Sequence, residues 1–358
     1  MVPKSGVSLQ FLFYEIPNWH GVSFAAITAA LILSSSAALA ATGPMEADED
    51  GAFIVMTFNS GTGATPADAG EDNLGYGREQ ARISDAYYGN GLAWKPAIDA
   101  VHDFVQEISP DIVAFQEMFC CDDCETIPEE ARTGFVCEDW TPGSPSIARL
   151  VLGEDYQIAT HPGNNDKYLA VHKRFGRMRG SESDTCPGGL EGARVEGCGG
   201  GARIARTVIE RYSGPPITVL SYHGTSGFCG HDRECRALQV DRIFVDFGDG
   251  TAGVNGNAHV ILGDFNTDPR RLHCVDRSAR RWNDFTGDKK QFHFVTDQGS
   301  CAPGAYLGPF HIDHIVSDVF DGKILYHGKT GRKEQPFPFQ MFDHTPVVAR
   351  MTPRITTK

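Results

Sequence analysis

The chain has 358 residues, of which 41% are hydrophobic and 22% are charged, and its formal net charge is -14. This composition is that of an ordinary globular protein with enough apolar material for a core. Because an acidic protein binds polyanions poorly without help, the charge excludes a stoichiometric nucleic-acid coat. It does not exclude an enzyme that meets phosphate through a bound cation.

The N-terminal segment has the pattern of an export signal. Residues 22–40, VSFAAITAALILSSSAALA, are apolar and then small, and they end in an Ala-Leu-Ala sequence. This pattern predicts a signal peptide over 1–40 with cleavage after Ala40, followed by an exposed leader over 41–52. The alternative is an N-terminal membrane anchor, since the apolar segment is close to the shortest length that spans a bilayer. We expect a secreted or periplasmic protein.

Ten cysteines also favour an oxidising compartment. Cys229 and Cys235 bracket one short loop, and Cys186 and Cys198 bracket a glycine-rich one, so we expect a disulfide across each loop. A separate group lies within residues 120–137, and its alternative interpretation is a zinc site, although it lacks two clean C-x2-C pairs. This group contains Cys120, Cys121, Cys124 and Cys137.

Strands outnumber helices in the predicted elements. Helical spacing of apolar residues predicts helices over 94–111 and 235–247. Short apolar runs predict strands at 52–61, 111–117, 168–174, 206–212, 217–224, 258–266, 309–318 and 345–351. This pattern fits a simple doubly wound sheet badly and favours two packed sheets with helices outside. We expect a single domain over 53–352 and a tail over 353–358.

The predicted strands repeatedly end in polar residues. ILGDFNTDP, residues 261–269, presents an acid and an amide two residues apart, directly after an apolar run. Asp and Asn are good turn formers, so this segment alone could be an ordinary bend. Ligands of α/β proteins gather at strand ends, however, and similar polar endings occur from residue 59 to residue 344. We therefore expect them to converge on one site.

Six short motifs occur in order over this region: TFN (57–59), FQE (115–117), YHG (222–224), GDFN (263–266), IDHI (312–315) and DHTPV (343–347). Together they resemble the endonuclease/exonuclease/phosphatase superfamily, which includes deoxyribonuclease I, abasic-site exonucleases, neutral sphingomyelinases and inositol-polyphosphate phosphatases. Any one motif is weak, but the ordered set is specific. The resemblance implies a four-layer α/β/β/α sandwich, with two mixed β-sheets flanked by helices, and a divalent-metal phosphoesterase.

The resemblance also implies roles for eight residues. Glu117 would be the principal metal ligand, with Asn59 and Asp343 helping to hold the metal or its waters. The catalytic set would be His223, Asp264, Asn266, Asp313 and His344. In it the two histidines flank the phosphate, Asp264 aligns the attacking water, Asn266 contacts a phosphate oxygen and Asp313 orients His344. The group that orients His223 is expected in the strand 167–174.

The residue chemistry agrees with these roles. Mg²⁺ takes oxygen ligands and keeps several waters, so one or two carboxylates hold it; Mn²⁺ and Ca²⁺ are alternatives. A carboxylate can deprotonate water, and a histidine backed by a carboxylate is more often cationic. Each of these residues also has a non-catalytic interpretation. Taken singly, Asn59 and Glu117 are ordinary strand-end residues, and the pair Asp343-His344 is an ordinary loop bend. Taken singly, His223 is a structural histidine, and His314 keeps that interpretation.

The substrate is suggested by a basic segment after the GDFN motif. Residues 270–294 carry seven Arg and Lys residues around Trp282. Basic residues interleaved with aromatic ones bind phosphate backbones and stack bases, so we expect Arg280, Arg281 and Trp282 to contact nucleic acid. The alternative for the segment is a solvated loop. A sphingomyelinase-type enzyme acting on phospholipid is the alternative function, and an inactive binding module is a third. No obligate protein partner is evident.

Overall fold

The computed structural model describes residues 51–62, 73–180, 190–297, 304–306, 310–327 and 341–354. All of them belong to one compact unit, Pro44–Lys358. The predicted signal peptide, nearly all of the leader and most of the tail lie outside the described residues, as does Cys186. Within the described ranges, no helix is both long enough and apolar enough to span a membrane.

The described residues form β-strands throughout, with helices between them. The strands are β1 (Phe53–Asn59), β2 (Ile112–Gln116), β3 (Tyr156–His161), β4 (Asn164–His172), β5 (Gly176–Met178), β6 (Glu191–Ala193), β7 (Ile204–Arg211), β8 (Ile217–His223), β9 (His259–Asp264), β10 (His293–Phe294), β11 (Asp313–Ser317), β12 (Phe320–His327) and β13 (Val347–Pro353). The α-helices are α1 (Arg78–Ile83), α2 (Lys95–Ile108), α3 (Ile147–Leu152), α4 (Gly230–Phe244) and α5 (Arg277–Phe285).

The strands form two mixed sheets. The first has the order β12-β13-β1-β2-β4-β3, and the second has the order β10-β11-β9-β8-β7-β5, with β6 also paired to β7. In each sheet one central pair is parallel, β1 with β2 and β8 with β9, while the other pairs are antiparallel. The side chains of a strand alternate between the two faces of its sheet, so each sheet can bury apolar side chains on both faces.

Three apolar clusters separate four layers. One cluster lies between the sheets and contains Val55, Val219 and Val260. A second covers the outer face of the first sheet with residues of α2 and α3, and neighbours of Val55 such as Met56 point into it. The third covers the outer face of the second sheet with residues of α4 and α5. The expected four-layer α/β/β/α sandwich is confirmed.

The sequence predicted the strands that carry the motifs and both long helices, α2 and α4. It did not predict β3, β12 or the short helices α1, α3 and α5. The segment around Trp282, expected to bind nucleic acid with a solvated loop as the alternative, contains the helix α5, so the loop interpretation is wrong for residues 277–285.

The expected disulfide pairing is wrong. Cys198 is bonded to Cys235, and Cys124 is bonded to Cys137. Cys229 immediately precedes α4 and Cys235 lies within it, six residues on. A helix rises about 1.5 Å per residue, so six residues separate two Cα atoms by about 9 Å, which is too far for a disulfide. The Cys124–Cys137 bond also removes two thiolates from the alternative zinc site.

Candidate active site

Three of the expected catalytic residues lie side by side in the second sheet. His223 is the last residue of β8 and pairs with Asp264, the last residue of β9, across a parallel ladder. Asp264 pairs in turn with Asp313, the first residue of β11, across an antiparallel ladder. The strand register therefore places these side chains at one edge of the sheet.

The first sheet supplies the facing residues. Asn59 ends β1, and Glu117 follows β2 in a left-handed backbone conformation with φ of 60°. Such a conformation is unfavourable for a residue with a side chain and often marks a functional site. Gly61 lies so close that a Cβ atom there would be 2.2 Å from Glu117 Oε2. The glycine therefore leaves space for the Glu117 carboxylate.

Asp264 lies at the centre of the site, and hydrogen bonds fix the orientation of its carboxylate. Its Oδ2 atom accepts hydrogen bonds from the side-chain amides of Asn59 and Asn266, both at 3.0 Å. The same oxygen is 3.7 Å from His223 Nε2 and 3.8 Å from His344 Nε2. Burial raises the pKa of Asp264 to about 7. A carboxylate with a pKa near neutrality can act as a general base.

His344 and Asp313 form a buried pair. His344 Nδ1 is 2.8 Å from Asp313 Oδ2, and both side chains are almost wholly inaccessible to solvent. Burial acts to lower the pKa of His344, but the charge and hydrogen bond of Asp313 outweigh it and raise this pKa to about 10. His344 is therefore a cation at neutral pH, with Nε2 directed toward Asp264.

His223 faces Glu117, with 3.3 Å between Nε2 and Glu117 Oε1. Burial acts to raise the pKa of Glu117, but hydrogen bonding to His223 and the nearby charge of His344 outweigh it and hold the pKa below its usual range. An orienting group for His223 was expected in 167–174. Among the described residues, however, His223 Nδ1 has no hydrogen-bond partner, and Lys167 in that strand is paired with Asp166.

The oxygen-rich side chains of the site fit a divalent cation. Ligand atoms of Glu117, His223 and Asp264 lie within 4.8 Å of one another, and so do those of Asp264, Asp313 and His344. Asp343 Oδ1 is buried and accepts no hydrogen bond from the described residues, and burial raises the pKa of Asp343 to about 6. A buried carboxylate oxygen with no donor is what a hard cation would satisfy. Of the expected metal set, Glu117 belongs to the first of these groups, and Asp343, which belongs to neither, offers the oxygen without a donor.

Asn59 and Asn266 are held by protein groups. The Oδ1 atom of Asn59 accepts the backbone N–H of Gly61 at 2.9 Å. The amide of Asn266 also donates to the carbonyl of Gly224 at 3.2 Å. Both amides thus position Asp264. The expected contact of Asn59 with the metal stays a prediction, and so does the expected contact of Asn266 with a phosphate oxygen.

Several solved structures resemble this chain. The human Nocturnin catalytic domain with bound sulfate is 13% identical, with a TM-score of 0.47, and the match covers 85% of this chain and 94% of that one. An endonuclease/exonuclease/phosphatase from Bacteroides vulgatus is also 13% identical, with a TM-score of 0.47 and coverage of 85% and 99%. TDP2 from C. elegans is 15% identical, with a TM-score of 0.46 and coverage of 84% and 75%. No protein-family model and no curated protein matches the chain.

Likenesses at these identities and scores say nothing about activity. The six ordered motifs, the two-sheet sandwich and the convergence of the motif residues at one edge carry the comparison with the endonuclease/exonuclease/phosphatase superfamily. The resemblance holds at the level of the fold.

Beside the converging motif residues of this chain lies a cleft that the sequence did not indicate. It has a volume of about 650 Å³ and is lined by Glu117, His223, Lys167, Arg203 and Ser226, among others. Arg203 Nη1 donates to the carbonyl of Gly224 at 3.2 Å. Sequence reasoning did not single out Arg203, because it lies in a glycine-rich segment outside every motif. Only the register of β7 beside β8 brings it near His223.

The interpretation of Trp282 as a base-stacking residue is wrong. Its side chain is fully buried and stacks on Phe265 of the GDFN motif, with ring centroids 4.4 Å apart. Arg281 forms ion pairs with Asp241 at 2.6 Å and Asp284 at 2.9 Å. Arg280 donates to the carbonyl of Cys274 at 3.1 Å. The Trp282 side chain therefore packs beneath the segment that follows β9, on the side of α5. Nucleic-acid contacts of Arg280 and Arg281 stay a prediction.

Proposed function

We propose that the protein is a divalent-metal-dependent phosphodiesterase and that its substrate is nucleic acid. The observation that carries the proposal is the convergence of Glu117, His223, Asp264 and the Asp313–His344 pair at one edge of the sandwich. Phosphodiester hydrolysis needs an aligned water, compensation of phosphoryl charge and a proton for the leaving oxygen. The described residues offer a group for each need.

Asp264 would accept the proton of the attacking water, a role supported by the two amides that fix its orientation and by the burial that favours proton uptake. His344, kept cationic by Asp313, would stabilise the developing charge or donate a proton to the leaving oxygen. His223 lies on the other side of Asp264, where its ring N–H would contact a phosphoryl oxygen. A bound divalent cation, held by Glu117 and Asp343, would supply a charge sink for the phosphoryl oxygens.

Nucleic acid is favoured over phospholipid by the cleft beside the site. Arg203 lines it and has no acidic partner among the described residues, whereas Lys167 is paired with Asp166, and Glu117, Asp123 and Asp166 also line the cleft. A guanidinium beside His223 suits a charge-assisted contact with one phosphate of the substrate, and this single cation supports the proposal. We also propose secretion, supported by the apolar N-terminal segment and by two disulfides among the described residues.

The test is to incubate the purified protein with Mg²⁺ and plasmid DNA, RNA or sphingomyelin vesicles in parallel, with and without EDTA. Asp264→Asn serves as the inactive control, because it keeps the size of the side chain and removes the base. We expect cleavage of DNA or RNA that disappears with EDTA and in the variant. Hydrolysis of sphingomyelin alone would replace the proposed substrate, and full activity in EDTA would refute the metal mechanism.

A further inference from the structure

An exposed aromatic ring lies in the loop that follows His223, two residues beyond Ser226 of the cleft. Phe228 is 69% exposed and occupies the loop after β8, five residues beyond His223. Its nearest aromatic neighbour is Phe310, with ring centroids 6.4 Å apart. Phe310 lies three residues before Asp313, so the two rings come from the loops that border His223 and Asp313. The ring pair therefore lies on loops that continue from the strands of the site, and Phe228 contributes little to the core.

The loop that carries Phe228 is held by a buried cation. Arg236 of α4 is fully buried, and its guanidinium donates to the carbonyls of Thr225 at 2.6 Å and Gly227 at 2.7 Å. The same guanidinium is paired with Asp276 at 2.9 Å. Gln239 adds two hydrogen bonds to Thr225. Four hydrogen bonds thus hold the loop from inside, the Asp276 pair fixes the guanidinium that makes two of them, and the Phe228 ring stays at the surface.

The surroundings of Phe228 match a planar base better than a lipid surface. Its neighbours Ser226, Gly227 and Cys229 are exposed and not strongly apolar, and Ser226 also lines the cleft with His223. Membrane insertion needs a larger apolar area than two rings among polar residues provide. Exposed aromatic rings beside a groove that follows the phosphate backbone are what single-stranded nucleic acids stack on.

We propose that Phe228 stacks on the nucleobase adjacent to the scissile phosphate, with Phe310 packed against its edge, and thereby aligns single-stranded substrate in the cleft. The inference rests on the proposed nuclease function and adds a substrate form to it. Since Arg236 fixes the loop beforehand, little ordering is needed when the base binds.

The test uses a short single-stranded oligonucleotide of the nucleic acid that the wild-type protein cleaves, with one natural phosphodiester at its centre and methylphosphonates elsewhere. Two analogues lack the base on the 5′ or the 3′ side of that linkage. For Phe228→Ala we expect kcat/KM on the complete oligonucleotide to fall about 5- to 150-fold, the range known for single stacked bases. On one of the two analogues the variant and the wild type should be equal. Phe228→Trp should retain the wild-type rate.

Tyr212→Ala is the matched control, because Tyr212 is 68% exposed and lies in the connection before β8, at the end of that strand away from His223. We expect it to leave all three rates unchanged. Equal losses for Phe228→Ala on all three substrates, or no loss at all, would overturn the inference while leaving the nuclease proposal intact. A wild-type protein that cleaves no nucleic acid would overturn both.

Discussion

Replacing Asp313 by Asn tests whether the charge of His344 is needed for catalysis. Asp313 is the nearest carboxylate to the His344 ring, 2.8 Å from Nδ1, and it is the main group that raises the pKa of His344 to about 10. Without that charge, burial again lowers the pKa of His344 and only the Asp264 and Asp343 carboxylates, at 3.8 Å, oppose it, so the ordinary histidine value of about 6.5 serves as the reference. The imidazolium fraction at pH 8 would then fall from nearly all molecules to about 3%. We therefore expect kcat/KM at pH 8 to fall by up to about 30-fold.

The assay is kcat/KM of both proteins from pH 6 to pH 9 at saturating Mg²⁺, expressed as the ratio of variant to wild type. The ratio should rise as the pH falls, because protonation restores the imidazolium in the variant. Asp318→Asn is the matched control, since Asp318 lies 2.7 Å from Nδ1 of His259 in a second buried pair at the opposite end of β9. We expect a pH-independent ratio near one for this control. An Asp313→Asn enzyme with the wild-type rate and pH profile would refute the reasoning.

Three further predictions concern the metal, the buried histidines and the disulfides. Glu117→Gln should abolish most activity and lower the affinity for Mg²⁺ measured by calorimetry, with an unchanged circular dichroism spectrum; unaltered Mg²⁺ affinity would argue against its ligand role. Burial lowers the pKa of His161 to about 3 from 6.5, so the unfolded state gains protons first and stability falls as the pH drops below 6.5. His161→Gln should remove about 2 kcal/mol of the stability lost between pH 7 and pH 5 in urea unfolding, and an unchanged slope would contradict this. Removal of Cys198–Cys235 by a double alanine substitution should cost about 4 kcal/mol in the chain-entropy model, and non-reducing peptide mapping that links Cys229 to Cys235 instead would show the pairing to be different.

The part of the site that follows strand ends could be predicted from the sequence. Asn59, His223 and Asp264 each end an apolar run, and the register of a sheet then determines which strand ends meet. Glu117 follows the same rule one residue beyond β2. Their mutual distances could not be predicted, because they depend on how two separate sheets pack against each other.

Features that depend on helix faces were interpreted wrongly or missed. The segment with Arg280, Arg281 and Trp282 was judged by composition, yet α5 turns Trp282 inward while Arg280 stays exposed. Ala279 and Trp282, three residues apart and both buried, were the helical signal within it. The disulfide partner of Cys235 could not be predicted from the spacing of neighbouring cysteines, because Cys198 is 37 residues away in sequence.

The position of β13 has a consequence for synthesis of the enzyme. This last strand lies between β12 and β1, and Asp343 and His344 immediately precede it. During synthesis, the residues of both sheets that precede β13 are therefore made before the strand that anchors Asp343 and His344 against β1 exists. Chains that end before residue 343 carry Glu117, His223, Asp264 and Asp313 but lack Asp343 and His344. We expect such chains to be catalytically silent, so that the proposed phosphodiesterase activity would report only on molecules that contain β13.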